Sequence, residues 1–405
     1  AGRISVRAGS LVAEPGATAT ANLIEVAPSA PTSMVLPVAE PPPGTFGLTA
    51  NDLAGLRAQT LRLGATTFDG ALTTTADGIS IVAPLALAGT LDLRSLASIA
   101  QDPGAALVVG ALTGAAGGSV TLTDPANVVP VLAGFTAGAD FALVTQTPLL
   151  TVPGGTLVQA GGALGIEVLG GSMRVDGTVI GATTALTAAT GSVTVNGFSA
   201  IATAGDLTLA AQFVTLAGLA QAAGNIQVFA EAGTSLAGTA LTANTLLVSA
   251  PSVSFGGLNA DAADVRLALG DSGTASGTLF ARGLTVEGGS GAVLLGTIDG
   301  IAGRPAAARG RRATVGGTLL GDPPPALTDF TFNGCPIGVA LCAVPPERPP
   351  FADNPEEVTG ELDPLSLLAA LDRLRPPAPE ISLQPARDQS EENELAPPDI
   401  RAGDY

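Results

Sequence analysis

Small apolar residues alternate with polar ones along much of this chain. Met173-Arg-Val-Asp176, Val193-Thr-Val-Asn196, Val214-Thr-Leu-Ala217 and Val253-Ser-Phe-Gly256 each send every second side chain to one apolar face. That is the period of a β-strand with one buried side. Glycines recur just after such segments: Gly114, Gly134, Gly155, Gly177, Gly197, Gly218, Gly238, Gly257, Gly277, Gly296 and Gly317, with steps of 19 to 22 residues. A second series runs out of phase with the first. It reads Leu207-Thr-Leu209, Ile226-Gln-Val228, Leu246-Leu-Val248, Val265-Arg-Leu267 and Leu284-Thr-Val286, its last members 19, 20, 19 and 19 residues apart. Two ladders sharing one period mean that each repeat carries at least two short strands.

This pattern predicts an all-β fold, a right-handed parallel β-helix (β-solenoid, about 20 residues per coil), in which one repeat makes one coil and equivalent strands stack. The abundance of Ala, Val, Leu, Ile and Thr suits a narrow interior. Gly177, Gly197, Gly218, Gly238, Gly257, Gly277, Gly296 and Gly317 are expected at coil turns, where glycine accepts a positive φ. Between 156 and 320 the only prolines are Pro251 and Pro305, as strands that need their backbone donors require.

The ends differ from the middle. Residues 1–46 read as an irregular, Pro-rich start with short strands at Ile4-Ser-Val6 and Leu23-Ile-Glu-Val26. The solenoid is expected over 47–320. It opens with a short helix for which Thr49 is the N-cap and Asp52 a first-turn acid, followed by a strand at Thr60–Leu63. The stretch Gly303–Arg312 holds four Arg and no acid, and reads as a solvated loop or as a contact patch for an anionic partner.

Residues 321–345 form a terminal segment with Cys335 and Cys342. With no His and no second Cys pair, a zinc site is a poor reading; a local Cys335–Cys342 disulfide is expected, which would imply an oxidising, extracytoplasmic compartment, with two free, partly buried thiols as the alternative. Residues 346–405 are an acidic, Pro-rich tail with 14 acids, 5 Arg and 11 Pro. Within it a helix is expected over 364–375, with Asp363 as cap and Pro364 in the first turn. Its apolar face is Leu365, Leu367, Leu368, Leu371 and Leu374. That face either caps the solenoid or docks on another subunit.

Composition narrows the function. The 405 residues include no His, no Lys and no Trp, aromatics are 3%, and the net charge is −18. Histidine general bases, imidazole ligands and Schiff-base lysines are therefore excluded. No nucleic acid, cofactor or metal is expected as a ligand, and no apolar run reaches the roughly 20 residues of a membrane-spanning helix. The nearest catalytic candidates are Asp261 and Asp264 beside Arg266, with Asp271 one coil on. They would serve a polysaccharide-active β-helix enzyme, but Asp at solenoid corners is first of all a turn former.

Leu48-Thr-Ala-Asn-Asp-Leu-Ala-Gly-Leu-Arg-Ala-Gln-Thr-Leu-Arg-Leu-Gly64, the Ile79-Ser-Ile81 type of strand, the Gly/Ala/Thr/Val-rich coils and the Phe332–Cys342 element resemble filamentous-haemagglutinin-like bacterial exoproteins of the two-partner-secretion adhesin family. The resemblance covers roughly residues 47–345. It implies secretion to the cell surface or beyond, adhesion, and in some members fibre formation. The family's Asn-Pro-Asn-Gly-type secretion signature is absent, so the chain resembles a carboxyl-terminal portion, and its Ala-Gly-Arg start reads as a processed product or an excerpt. The expected role is a non-enzymatic extracellular structural protein. It either self-assembles head to tail through the solenoid ends and tail, or serves as an adhesin stalk. A monomeric adhesin passenger capped by its own tail is the alternative, and a host or surface glycan or protein is a possible partner.

Overall fold

The computed structural model describes residues 2–14, 16–262, 264–281 and 284–288, and beyond them the backbone of short strands as far as residue 336. Ala1–Glu347 makes one compact unit. It is a β-solenoid of about 13 turns with about 21 residues per turn, almost all parallel strand.

Each regular coil supplies strands to three stacked ladders. The first runs from Arg3–Ala8 to Ala19–Pro28, Leu56–Leu63, Leu85–Ser95 and Leu107–Ala116, then on through Val179, Ile201, Ala220 and Ala240. The second climbs through Ala76–Ile81, Ile99–Gln101, Val120–Leu122, Phe141–Thr145 and Ala163–Val168. The third stacks Leu149–Val152, Ser172–Val175 and the second half of Thr183–Val195. The two series read from the sequence are the second and third of these ladders.

The first ladder reaches further towards the amino terminus than the composition suggests. Arg3–Ala8 and Ala19–Pro28 are full rungs, in register as Ile4 on Ile24 and Val6 on Val26. The prolines that marked this region as irregular fall at strand ends: Pro28 closes Ala19–Pro28, and Pro31 and Pro37 flank the next strand, Thr32–Leu36, which joins the second ladder on Ala76–Ile81. The Arg-rich stretch also differs from expectation. Ala307–Val315 is a strand, with Ala308 on Leu284 and Ala313 on Val293. The step from Leu284 to Ala308 is 24 residues, so the extra residues lengthen one coil without breaking the ladder.

The core is a set of columns running through the coils. Val26, Leu63, Leu93, Phe135, Val158, Val179 and Ile201 belong to one of them, and all are buried. Each such side chain contributes on the order of 1.5–3 kcal/mol relative to exposure. Gly114 sits between Leu93 and Phe135 in this column. A Cβ there would lie 2.6 Å from the Phe135 ring, so the glycine makes room for a side chain larger than the column otherwise holds. Phe135 in turn packs against Phe141, with ring centroids 5.2 Å apart.

The helix Ala50–Gly55 follows its expected cap. Thr49 and Asp52 form a capping box: the Asp52 N–H donates to Thr49 Oγ1, and Asp52 Oδ2 accepts from the Thr49 N–H at 2.7 Å. One element leaves the coil altogether. After Gly64, Ala65–Phe68 and Ala71–Thr74 form an antiparallel hairpin, turned by Asp69 and Gly70 at positive φ. The chain rejoins the coil at Thr75, whose N–H donates to the Gly64 carbonyl at 2.8 Å.

Candidate functional site

Arg3–Ala8 is the first rung of the described stack. Among the described residues Arg3–Ala8 pairs with one strand, Ala19–Pro28, and its opposite backbone edge carries no ladder. Ile4 and Val6 point the same way as Ile24 and Val26. The inner pair is fully buried, whereas Ile4 and Val6 are only partly covered. Outward on the same strand stand Arg3 and Arg7, both exposed. The segment that follows is fastened at Ala13, whose N–H donates to Asp52 Oδ1 at 2.7 Å and whose carbonyl accepts from Asn51 Nδ2 at 3.3 Å. Burial tends to raise the Asp52 pKa, but the donors from Ala13 and Thr49 outweigh it and hold the carboxyl below its ordinary value.

Beside this end lies a buried ionic column. Ser5, Glu25, Arg62 and Asp92 occupy the same outward position on four successive rungs of the first ladder. Arg62 Nε donates to Asp92 Oδ2 at 2.6 Å and its Nη1 to Glu25 Oε1 at 2.5 Å. Arg94 Nε donates to the other oxygen of Asp92 at 2.6 Å. The hairpin covers Glu25, which accepts from the Thr67 N–H at 2.9 Å and from Thr67 Oγ1 at 2.7 Å. Burial pushes the Glu25 pKa up, yet bonds from Ser5, Thr67 and Arg62 bring it below its ordinary value. Arg62 is likewise penalised by burial and more than compensated by Asp92 and Glu25. Every charge here is matched inside the protein, so the column is a fastening for the hairpin and has no vacant catalytic group.

The sequence-predicted positions divide into several cases. Gly257 and Gly277 have positive φ, as expected of turn glycines. Gly177, Gly197, Gly218 and Gly238 do not, which corrects the expectation for them. Three of these are small because a neighbouring backbone passes close: a Cβ would lie 2.5 Å from the Pro153 carbonyl oxygen at Gly177, 2.3 Å from that of Asn196 at Gly218, and 2.0 Å from that of Gly218 at Gly238. At Gly197 the nearest atom would be 3.7 Å away, so neither reason holds there. Gly296, Gly317, Cys342 and the leucines Leu365, Leu367, Leu368, Leu371 and Leu374 lie outside the described residues. Cys335 is in the short strand Cys335–Pro336, which turns back antiparallel on Thr331 and Phe332.

The acidic candidates are brought only partly together. Asp264 and Arg266 form an ion pair at 2.9 Å on one strand, and Asp264 also accepts from Thr285 Oγ1. Asp261 ends the preceding strand, partly buried, and the Asp271 side chain is outside the described set. Among the described residues no group of three or more Asp, Glu or Cys is placed to hold a metal. No helix described is long and apolar enough to cross a membrane.

No family model, curated protein or solved structure matches this chain.

Proposed function

We propose that this chain is a non-enzymatic extracellular structural protein, a β-solenoid that extends end to end as a surface fibre. The open edge at Arg3–Ala8 carries the reading. A ladder in register up to its first strand, with Ile4 and Val6 half-covered, presents backbone donors, acceptors and apolar surface that another parallel rung would satisfy. In the fibre that rung comes from a second copy, a head-to-tail contact that need not close on itself. The extracellular, filamentous-haemagglutinin-like assignment is supported by the residues 48–64 motif and the coil composition. The stalk reading differs in one respect: there the next rung belongs to the same polypeptide.

The test is negative-stain microscopy and light scattering on the purified 405-residue chain across a concentration series, beside a version lacking 346–405. The fibre reading expects particles that lengthen with concentration, and an assembly state that changes on truncation while the thermal midpoint of the coils does not. Single short particles at every concentration in both versions would sink it and leave the stalk.

A further inference from the structure

A second feature lies many coils away from the open end. On the outward face of the second ladder, Gln227, Leu247 and Arg266 stack in register on three successive coils. Beside them is a groove of about 290 Å³ lined by Asn225, Gln227, Thr245, Leu247, Arg266 and Ala268. The groove's polar groups are held in place. Asp206 Oδ1 accepts from the Asn225 N–H at 2.7 Å and from its Nδ2 at 3.2 Å, while Asn225 Oδ1 accepts from the Thr245 N–H at 3.3 Å. Arg266 is oriented by Asp264 through Nε. The Gln227 amide has no protein hydrogen bond among the described residues. Phe229, two residues further along the same outward face, is 38% exposed and stands next to Ser249 on the following coil.

We propose that this groove binds a short neutral oligosaccharide lying along the coil stack. The Gln227 amide and the neighbouring Asn225 and Thr245 offer paired donors and acceptors of the kind that sugar hydroxyls require. Phe229 lies outside the lining residues but on the same outward face, where its exposed ring would take the C–H face of a pyranose that extends beyond the groove. Coils recur at about 4.8 Å, so an extended glycan lying along the stack would cross Gln227, Leu247 and Arg266 in turn, each offering it a different contact. The ligand is neutral because the Arg266 charge is matched by Asp264, and because a net charge of −18 repels polyanions. A carboxylate bound to an arginine and a threonine, as Asp264 is, serves here to orient the guanidinium, not to cleave a glycosidic bond.

The groove is remote in the ladder from Arg3–Ala8, so this inference stands or falls apart from end-to-end assembly. The experiment is isothermal titration of the full chain with cellotetraose, chitotetraose and maltotetraose, and with a sulfated heparin fragment. At least one neutral tetrasaccharide should bind saturably and more tightly than the heparin fragment. Gln227→Ala and Phe229→Ala should each weaken that binding at least tenfold with an unchanged thermal midpoint, and Val108→Ala, on a distant exposed position, should leave it unaltered. No saturable binding of any neutral sugar, tighter binding of heparin, or undiminished binding by the Gln227→Ala/Phe229→Ala double variant would overturn the proposal.

Discussion

Arg62 spans the gap between two carboxylates on the coils either side of it, with Asp92 held at 2.6 Å and Glu25 at 2.5 Å. The three charges are neighbours in space although 37 residues separate Glu25 from Arg62 and 30 separate Arg62 from Asp92. Removing the middle member leaves the buried Glu25 with Ser5, Thr67 and the more distant Arg3, and leaves Asp92 with Arg94, so Glu25 loses its closest charge partner and Asp92 loses a share of its own. Arg62→Ala should therefore destabilise the protein by about 3 kcal/mol, more than the loss of one exposed pair. Urea unfolding followed by circular dichroism measures it, and a loss below about 0.5 kcal/mol would mean that water reaches the column freely.

Acid should loosen the same region. Glu25 has a folded pKa below its ordinary value of 4.5, so the stability it confers is complete above that value and is lost as pH falls through the depressed one. Asp52 behaves alike from an ordinary value of 3.8. The thermal midpoint should stay flat on acidification to about pH 4.5 and fall below it. Glu25→Gln should start lower and flatten part of that fall. A midpoint that drops equally in both proteins would assign the acid sensitivity elsewhere.

The corner glycines separate into a sensitive and a tolerant class. Gly238→Ala places a methyl 2.0 Å from a backbone oxygen of the coil below, which only a shift of the stack can relieve. A loss of about 1–3 kcal/mol is expected. Gly197→Ala meets nothing closer than 3.7 Å and should be near neutral. Chemical denaturation of the two variants side by side decides it, and equal midpoints would refute the close-approach account.

Charge on the first rung should block lengthening. Ile4→Lys puts an ammonium at a half-covered inward position on the open edge, the device by which natural sheets discourage edge pairing. Sedimentation velocity should show the variant as a single species at concentrations where the parent has grown, with the far-ultraviolet spectrum unchanged. Identical sedimentation of the two proteins would place assembly at another surface.

The coil period was legible because identical environments recur and select identical residue classes at a fixed step. The same logic reaches the ionic column: Ile4-Ser-Val6, Ile24-Glu-Val26, Leu61-Arg-Leu63 and Leu91-Asp-Leu93 share one apolar–polar–apolar form, and their middle residues are the ones that stack. The irregular steps between them hid the match, because the helix, the hairpin and the Pro-rich strands lie between consecutive rungs. The reason for each glycine was not legible. Whether a Cβ would strike a carbonyl depends on the coil below, which a single repeat does not contain. The groove was out of reach for a related reason, since Gln227, Leu247 and Arg266 share a column without sharing a chemical type.

The Ala65–Thr74 arm has a consequence for how such a molecule changes over time. Its two feet, Gly64 and Thr75, are tied to each other by one hydrogen bond, and Ala76 donates to the same carbonyl. The winding therefore closes beneath the arm as though nothing had been spliced in. A junction of this kind is a socket: its outer part, from Phe68 to Leu72, can be exchanged or lengthened while Ala65–Thr67 stay bound over Glu25 and the thread on either side keeps its pitch. New surface chemistry can be gained at that socket without redesigning the screw that carries it.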